Sequence, residues 1–243
     1  MIRRKMAAGF SIGVKKDLSY VTDADLAAER TLRAAIAETF PDHGVLGEEF
    51  PPVNPGADFQ WILDPIDGTL SFSRGIPLFG VILALHHRGR PVVGIIDHPA
   101  LGQCFYAAEG LGAFCNGRRV RVDDAGRNWP VEGEIVATGD RAHFIKAGKQ
   151  RAFDRLMRLH PQVRSYADCF GHTLAVRGAV GAMVDFGVRI WDISATELLI
   201  REAGGKYVRV QKLDRPDGAL YGIIFGKPKV VDWLVPLFDG NSA

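Results

Sequence analysis

Phe59-Gln60-Trp61-Ile62-Leu63-Asp64-Pro65-Ile66-Asp67-Gly68-Thr69 decides how the rest of the chain is read. A mostly apolar, alternating run leads into two carboxylates three residues apart, so the acids are expected at the carboxyl end of a buried strand where the chain turns. Carboxylates at this spacing, with the Ile66 carbonyl between them, offer the oxygen donors that a hard divalent cation such as Mg²⁺ accepts. Gly68 permits close backbone approach, and Thr69 adds a hydroxyl. An ordinary Asp-Pro turn capped by Gly has the same letters. Further acids favour the first reading: Glu48-Glu49 lies upstream and Trp191-Asp192 far downstream.

The flanking sequence alternates helix and strand signals. From Thr22 to Phe40 apolar residues recur at helical spacing and Pro41 ends the run, which predicts a helix. Strands are expected at Val45-Leu46, Phe59 to Leu63, Val81 to His86, Val92 to Asp97 and Gln103 to Ala107, with a hairpin at Asn116-Gly117. The second half reads as strand Ile135 to Thr138, helix Lys146 to Leu159, helix Gly171 to Gly178, strand Ala182 to Phe186 and helix Trp191 to Ala203. Short strands near Lys206 to Val210 and Ile223 to Phe225 then precede a terminal helix, Lys229 to Leu237. This mixture is α+β or layered α/β.

With 243 residues, 47% of them hydrophobic, the chain can bury a sizeable core. A net charge of +2 with scattered cations does not suggest nucleic-acid binding. Cys104, Cys115 and Cys169 lack metal-ligand or disulfide spacing, and no apolar run is long enough to span a membrane, so a cytoplasmic protein is expected. The sequence has no G-x-S-x-G, no G-x-x-x-x-G-K-[ST] and no H-E-x-x-H, so the commonest serine, nucleotide and zinc chemistries fare poorly.

Gly47-Glu48-Glu49, the string from Trp61 to Thr69, and Trp191-Asp192 resemble the three signature segments of the inositol monophosphatase family. Lys15-Lys16-Asp17-Leu18-Ser19-Tyr20-Val21-Thr22-Asp23-Ala24-Asp25 is similar to the family's K-x-D-x-S-P-V-T-x-A-D stretch, with Tyr20 where Pro is usual. The resemblance implies an alternating αβαβα sandwich. It would be one domain over residues 1–243, with subdomains of about 1–130 and 131–243 and the metals between them. It also implies a homodimer that hydrolyses a small phosphate monoester. The family usually has a full helix before the Lys-x-Asp segment, whereas about fourteen residues precede Lys15 here, which sets the N-terminal packing apart.

By the same resemblance, two or three Mg²⁺ ions are expected per subunit. Glu48, Asp64 and the Ile66 carbonyl would surround one, Asp64, Asp67 and Asp192 a second, and a weaker third would lie near Glu48. Such ions polarise a phosphate and activate water. Thr69 would orient the attacking water and be oriented by Asp25, Glu49 would support the ligands from behind, and the Gly68 and Thr69 amides would hold phosphate oxygens. Each residue also has a plainer role. Asp25 and Glu29 read equally as surface acids of an amphipathic helix, Glu48-Glu49 as a solvated turn, and Asp192 as a helix N-cap.

The substrate rests on other residues. Asp168-Cys169-Phe170-Gly171-His172 resembles the D-C-Y-G-H element of histidinol-phosphatase members, and Ser71 to Gly80 resembles their stretch after D-G-T. Histidinol phosphate carries an ammonium and an imidazole, which Asp168 and Asp185 would favour. Arg189 would either hold the phosphate side or pair with one of these two acids. Alternatively, Asp168 caps the following helix and Asp185 is an exposed strand-end acid. The expected activity is histidinol-phosphate hydrolysis. The alternatives are an inositol monophosphatase or broad sugar-phosphate phosphatase, and, from another class, a non-catalytic metal-binding scaffold.

Overall fold

The computed structural model describes residues 2, 4, 5, 9–14, 20–123 and 129–239. The Lys15 to Ser19 part of the N-terminal motif lies outside the described residues. A two-stranded ribbon, β1 (Ile12–Val14) and β2 (Tyr20–Thr22), feeds helix α1 (Asp23–Thr39). The Thr22 side chain caps α1 by accepting from the Ala24 and Asp25 amides, while Asp25 reaches back to the Thr22 amide, a reciprocal capping box.

A seven-stranded sheet follows, in simple chain order: β3 (Gly44–Gly47), β4 (Phe59–Asp67), β5 (Gly80–His87), β6 (Arg90–His98), β7 (Gln103–Ala108), β8 (Gly112–Cys115) and β9 (Arg118–Val120). Only the β3–β4 pair is parallel; the remainder is the meander expected from its Gly and Pro punctuation, and Asn116-Gly117 does turn β8 into β9. The short helix α2 (Thr69–Ser73) interrupts the sheet after β4.

The second sheet has five strands in the order β11-β10-β12-β14-β13: β10 (Val136–Thr138), β11 (Val163–Ser165), β12 (Ala182–Val188), β13 (Lys206–Leu213) and β14 (Leu220–Gly226). Its helices are α3 (Arg141–Lys146), α4 (Gln150–Leu159), α5 (Asp168–Val176), α6 (Ile190–Ile193), α7 (Thr196–Glu202) and α8 (Pro228–Phe238). The helix expected from Lys146 to Leu159 begins only at Gln150, after a break at Gly148-Lys149 where Gly148 has φ 71°, and α3 ahead of it was not expected. The helix expected from Trp191 to Ala203 is divided at Ser194-Ala195, where the Ser194 hydroxyl donates to the Trp191 carbonyl in competition with the helix ladder. Helix α5 begins three residues earlier than its apolar pattern predicts, and β11, three residues with two exposed, was not expected from the sequence.

Helices α5 and α7 lie between the sheets. Leu174, Ala175, Leu198 and Leu199 share one core with Ile82, Ile96 and Phe105 of the first sheet and Met183, Ile223 and Phe225 of the second. Against the outer face of the second sheet, Phe144, Phe153 and Leu156 join Val230, Leu234 and Phe238, and α1 covers part of the first sheet through Ile36, Val45 and Leu63. The layers therefore run αβαβα. Each sheet strand with a helix on both faces buries both sets of its side chains, which accounts for near-continuous burial along β12.

Candidate metal centre

Residues three apart on a regular strand point to opposite faces, so the two acids of β4 could not meet without a fault in the ladder. The fault is present. Asp64 lies opposite Ile82 and Asp67 opposite Gly80, so β4 carries one extra residue there, a bulge that turns both carboxylates to one side. The Ile66 amide donates to Asp64 Oδ1 at 3.0 Å and fixes the turn. Gly68 then takes φ 83°, a left-handed conformation suited to glycine, and α2 starts at Thr69.

Asp192 arrives from the other half of the chain. It is not the N-cap of α6 but sits in its first turn, where its Oδ2 accepts the Arg189 amide at 2.6 Å. Asp64, Asp67 and Asp192 each bring a carboxylate oxygen to a common point, all within 4.8 Å of one another. Burial, then repulsion from Glu48, Asp67 and Asp192, holds Asp64 well above the ordinary carboxylate range. Burial and the charges of Asp168 and Asp192 do the same to Asp67. Asp192 is pushed up to about 8, chiefly by burial, with the Arg189 amide opposing and Glu48, Asp185 and Asp168 reinforcing. An all-oxygen cluster so short of positive charge fits a hard divalent cation, whose own charge would reverse these shifts.

The cluster lies in a cleft of about 630 Å³ lined also by Glu48, Ile66, Gly68, Thr69, Asp168 and Arg189. Thr69 Oγ1 lies 3.2 Å from Asp25 Oδ1 and 3.0 Å from the Ile66 carbonyl, and can donate to either. Asp25 in turn accepts from the Thr22 amide at 2.8 Å and the Thr22 hydroxyl at 2.5 Å. Burial raises its pKa against those hydrogen bonds. Asp25 and Glu29 are both completely buried, which corrects their reading as surface acids.

The sequence model of the inositol monophosphatase family matches residues 1–236. The chain belongs to the inositol monophosphatase family. Among its relatives, a histidinol-phosphatase of Chlorobaculum parvum is 38% identical over 191 residues, covering 79% of this chain and 73% of the relative. A histidinol-phosphatase of Mycobacterium tuberculosis is 34% identical over 214 residues, covering 87% and 82%. Among solved structures, the extragenic suppressor protein suhB of Bartonella henselae superposes with a TM-score of 0.85 at 26% identity, covering 99% of this chain and 93% of that one. Membership places the chain among phosphoric monoester hydrolases.

Within this family member, the remaining expected residues fall in distinct places. Glu48 faces the cleft from the turn after β3. Glu49 follows it, and its amide donates to Glu29 Oε2 at 2.8 Å. Arg189 lines the cleft, but its guanidinium pairs with Asp217 and donates to the Gly218 carbonyl, rather than pairing with Asp168 or Asp185. Asp168 opens α5 with φ 59° and provides no side-chain cap; its carboxylate faces Gly68. Burial, then repulsion from Asp185 and Asp140, pushes it up to about 6.

Asp185 is not an exposed strand-end acid. It is 3% exposed, accepts from His172 Nε2 at 3.2 Å and lines a small cavity of about 40 Å³ behind the cluster, which Asp67, Asp140, Asp168 and Asp192 also line. Three polar cleft residues lie outside every motif: His143 and Lys146, one turn apart on α3, and Asp217. Among the described residues, no helix is long and apolar enough to cross a membrane.

Proposed function

We propose that this phosphatase works with Mg²⁺ and prefers a monoester whose alcohol portion is cationic, histidinol phosphate being the leading candidate. The observation that carries the reading is the convergence of Asp64, Asp67 and Asp192 in an open cleft beside Asp168. Glu48, Asp64 and the Ile66 carbonyl would hold one ion, Asp64, Asp67 and Asp192 a second, with a third near Glu48. When bound, such ions supply charge neutralisation for the phosphate and lower the pKa of water.

The chain's own residues supply positioning. With its proton directed to Asp25, the Thr69 hydroxyl offers a lone pair to a water and so fixes that water's orientation. The two Thr22 donors favour the ionised form of Asp25 that this arrangement requires. Gly68 and Thr69 line the same cleft, where their amides would be offered to phosphate oxygens, and Glu49, tethered to Glu29, would support the Glu48 turn. On the alcohol side, Asp168, with Asp185 behind it, provides the negative field that an ammonium or imidazolium needs. A charge-assisted hydrogen bond of this type contributes roughly 1.5–3 kcal/mol.

One observation favours a broader specificity: Lys146 and Arg189 line the same cleft. A neutral sugar or inositol phosphate would suffer less from those cations than an amine. Phosphate release from histidinol phosphate, myo-inositol 1-phosphate and fructose 1,6-bisphosphate, measured side by side with Mg²⁺, separates the readings. A preference in kcat/KM for histidinol phosphate that collapses in Asp168→Ala is expected. Comparable turnover of all three would overturn the specificity, and absence of Mg²⁺-dependent release would favour the scaffold reading.

A further inference from the structure

Asp67 is held by a hydrogen-bonded chain that runs away from the cleft and into the core. The Cys169 amide donates to Asp67 Oδ2 at 2.5 Å, and the Cys169 sulfur lies 3.9 Å from His98 Nδ1. His98 belongs to β6 of the first sheet, whereas Cys169 belongs to α5 between the sheets. The imidazole bonds on both sides, with Nδ1 3.0 Å from the Phe79 carbonyl and Nε2 2.9 Å from Thr173 Oγ1. A carbonyl only accepts, so Nδ1 carries the proton, and in the neutral ring Nε2 accepts from the Thr173 hydroxyl, for whose proton the Phe170 carbonyl at 3.1 Å is a second acceptor. His98, Cys169 and Phe79 are wholly buried and Thr173 is 2% exposed. Phe105 and Phe170 contact the ring edge to face.

The backbone is shaped to admit this chain. Gly80 faces Asp67 across the β4–β5 ladder. A Cβ there would lie 2.7 Å from Cys169 Sγ and 3.0 Å from His98 Nδ1, so only glycine lets the three approach. Phe79, whose carbonyl His98 holds, also packs against Gly68 of the carboxylate turn. One imidazole therefore fixes the start of β5 and the first two turns of α5, the two elements that flank Asp67 from opposite halves of the chain.

We propose that His98 is a positioning residue for the metal centre, a latch that sets the Asp67 carboxylate through Cys169 and Thr173. The inference rests on the reading of Asp67 as a metal ligand. Burial lowers the pKa of His98 and keeps it in the neutral state that the two hydrogen bonds require. Groups that orient a ligand typically change metal affinity by about 10–100-fold when removed.

The test is Mg²⁺ binding to the whole protein by titration calorimetry without substrate, alongside thermal unfolding. His98→Asn retains an amide near the Nδ1 position but loses the Thr173 bond, and Thr173→Val removes the same bond from the far end. Both are expected to weaken Mg²⁺ binding about tenfold, with His98→Gln, whose amide reaches the Nε2 position, recovering part of the affinity. Val184→Ala, which opens the core on the other face of the second sheet, should lower Tm without changing Mg²⁺ affinity. Folded His98→Asn and Thr173→Val proteins with wild-type Mg²⁺ affinity would overturn the latch. So would a loss in Val184→Ala equal to theirs. Asp67→Asn separates the two layers: unchanged Mg²⁺ binding in that variant would remove the ligand reading and the latch together, whereas lost binding there with intact binding in the two latch variants would remove the latch alone.

Discussion

Two buried groups of charge in this protein are built in opposite ways. At one end of the second sheet, Lys227 Nζ donates to both oxygens of Glu134 at 2.8 and 3.0 Å, with each residue 4% exposed. Beyond the opposite end of β10, in the cleft, Asp64, Asp67 and Asp192 converge, and among the described residues no lysine or arginine side chain forms an ion pair with them. The first group is complete in itself. The second is left with an excess of negative charge, with the Ile66, Cys169 and Arg189 amides donating to Asp64, Asp67 and Asp192. Desolvated charge without a partner is unfavourable to the fold, so the cleft retains it for a ligand that the chain does not supply.

The widest separation between the two should appear in Asp64→Asn. Activity should fall at least about a thousandfold, because positioning and charge stabilisation of the phosphate are lost together. The metal-free protein should unfold at the same or a higher temperature, since a repelling charge has been removed. A variant that retains wild-type kcat with Mg²⁺ would break the comparison at its centre.

Lys227→Met should give the reverse pattern. Leaving Glu134 buried without its partner costs about 3–5 kcal/mol, read from urea unfolding, while Mg²⁺ binding remains unchanged. Replacing Glu134 as well, by Gln, should recover most of the loss. If Lys227→Met weakened Mg²⁺ binding, the two regions would not be independent.

The contrast was only partly visible in the sequence. Periodicity located α1, the meander and β12, because each carries its apolar residues at the proper period. The Trp61 to Thr69 string and Trp191-Asp192 marked the acids. What the sequence did not reveal is how they meet: Pro65 and the two aspartates break the alternation of β4, and only the β5 partners expose the one-residue bulge. Asp25, Glu29 and Asp185 were open to a surface reading since local patterns treat an acid as solvent-facing. Their burial depends on donors brought from elsewhere, such as His172 for Asp185. The helix breaks at Gly148 and Ser194 were hidden for a related reason, as the apolar spacing continues across both.

A third consequence concerns pH. Asp192, at about 8, and Asp168, at about 6, have folded pKa values above their ordinary value of 3.8, so between these limits the folded, metal-free protein binds more protons than the unfolded chain. Its stability is therefore fully present below about pH 4 as far as these groups are concerned, and is lost as pH rises through about 6 and then 8. Thermal unfolding in EDTA across that window should show the decline, and saturating Mg²⁺ should remove it. A metal-free Tm that rises over the same interval would mean the cluster is not short of positive charge.

Glu29 offers the finest test because it combines both designs. It is completely buried and paired, with Arg33 Nε at 2.8 Å, yet its oxygens also accept the Glu49 amide at 2.8 Å and the Phe50 amide at 3.2 Å. Arg33 closes the loop by donating to the Phe50 carbonyl at 2.9 Å. A compensated charge here holds the turn on which Glu48 enters the cleft. Glu29→Gln keeps the volume but replaces one acceptor by an amide donor, which cannot receive both the arginine and the turn amides. Mg²⁺ affinity should weaken about tenfold, as for other groups that orient a ligand. Tm should fall by a few degrees, about 1 kcal/mol of lost hydrogen bonding in a chain of this size. A lower Tm with unchanged Mg²⁺ affinity would assign Glu29 to the self-contained class of Glu134, and would mean that the Glu48 turn is fixed by its strand rather than by α1.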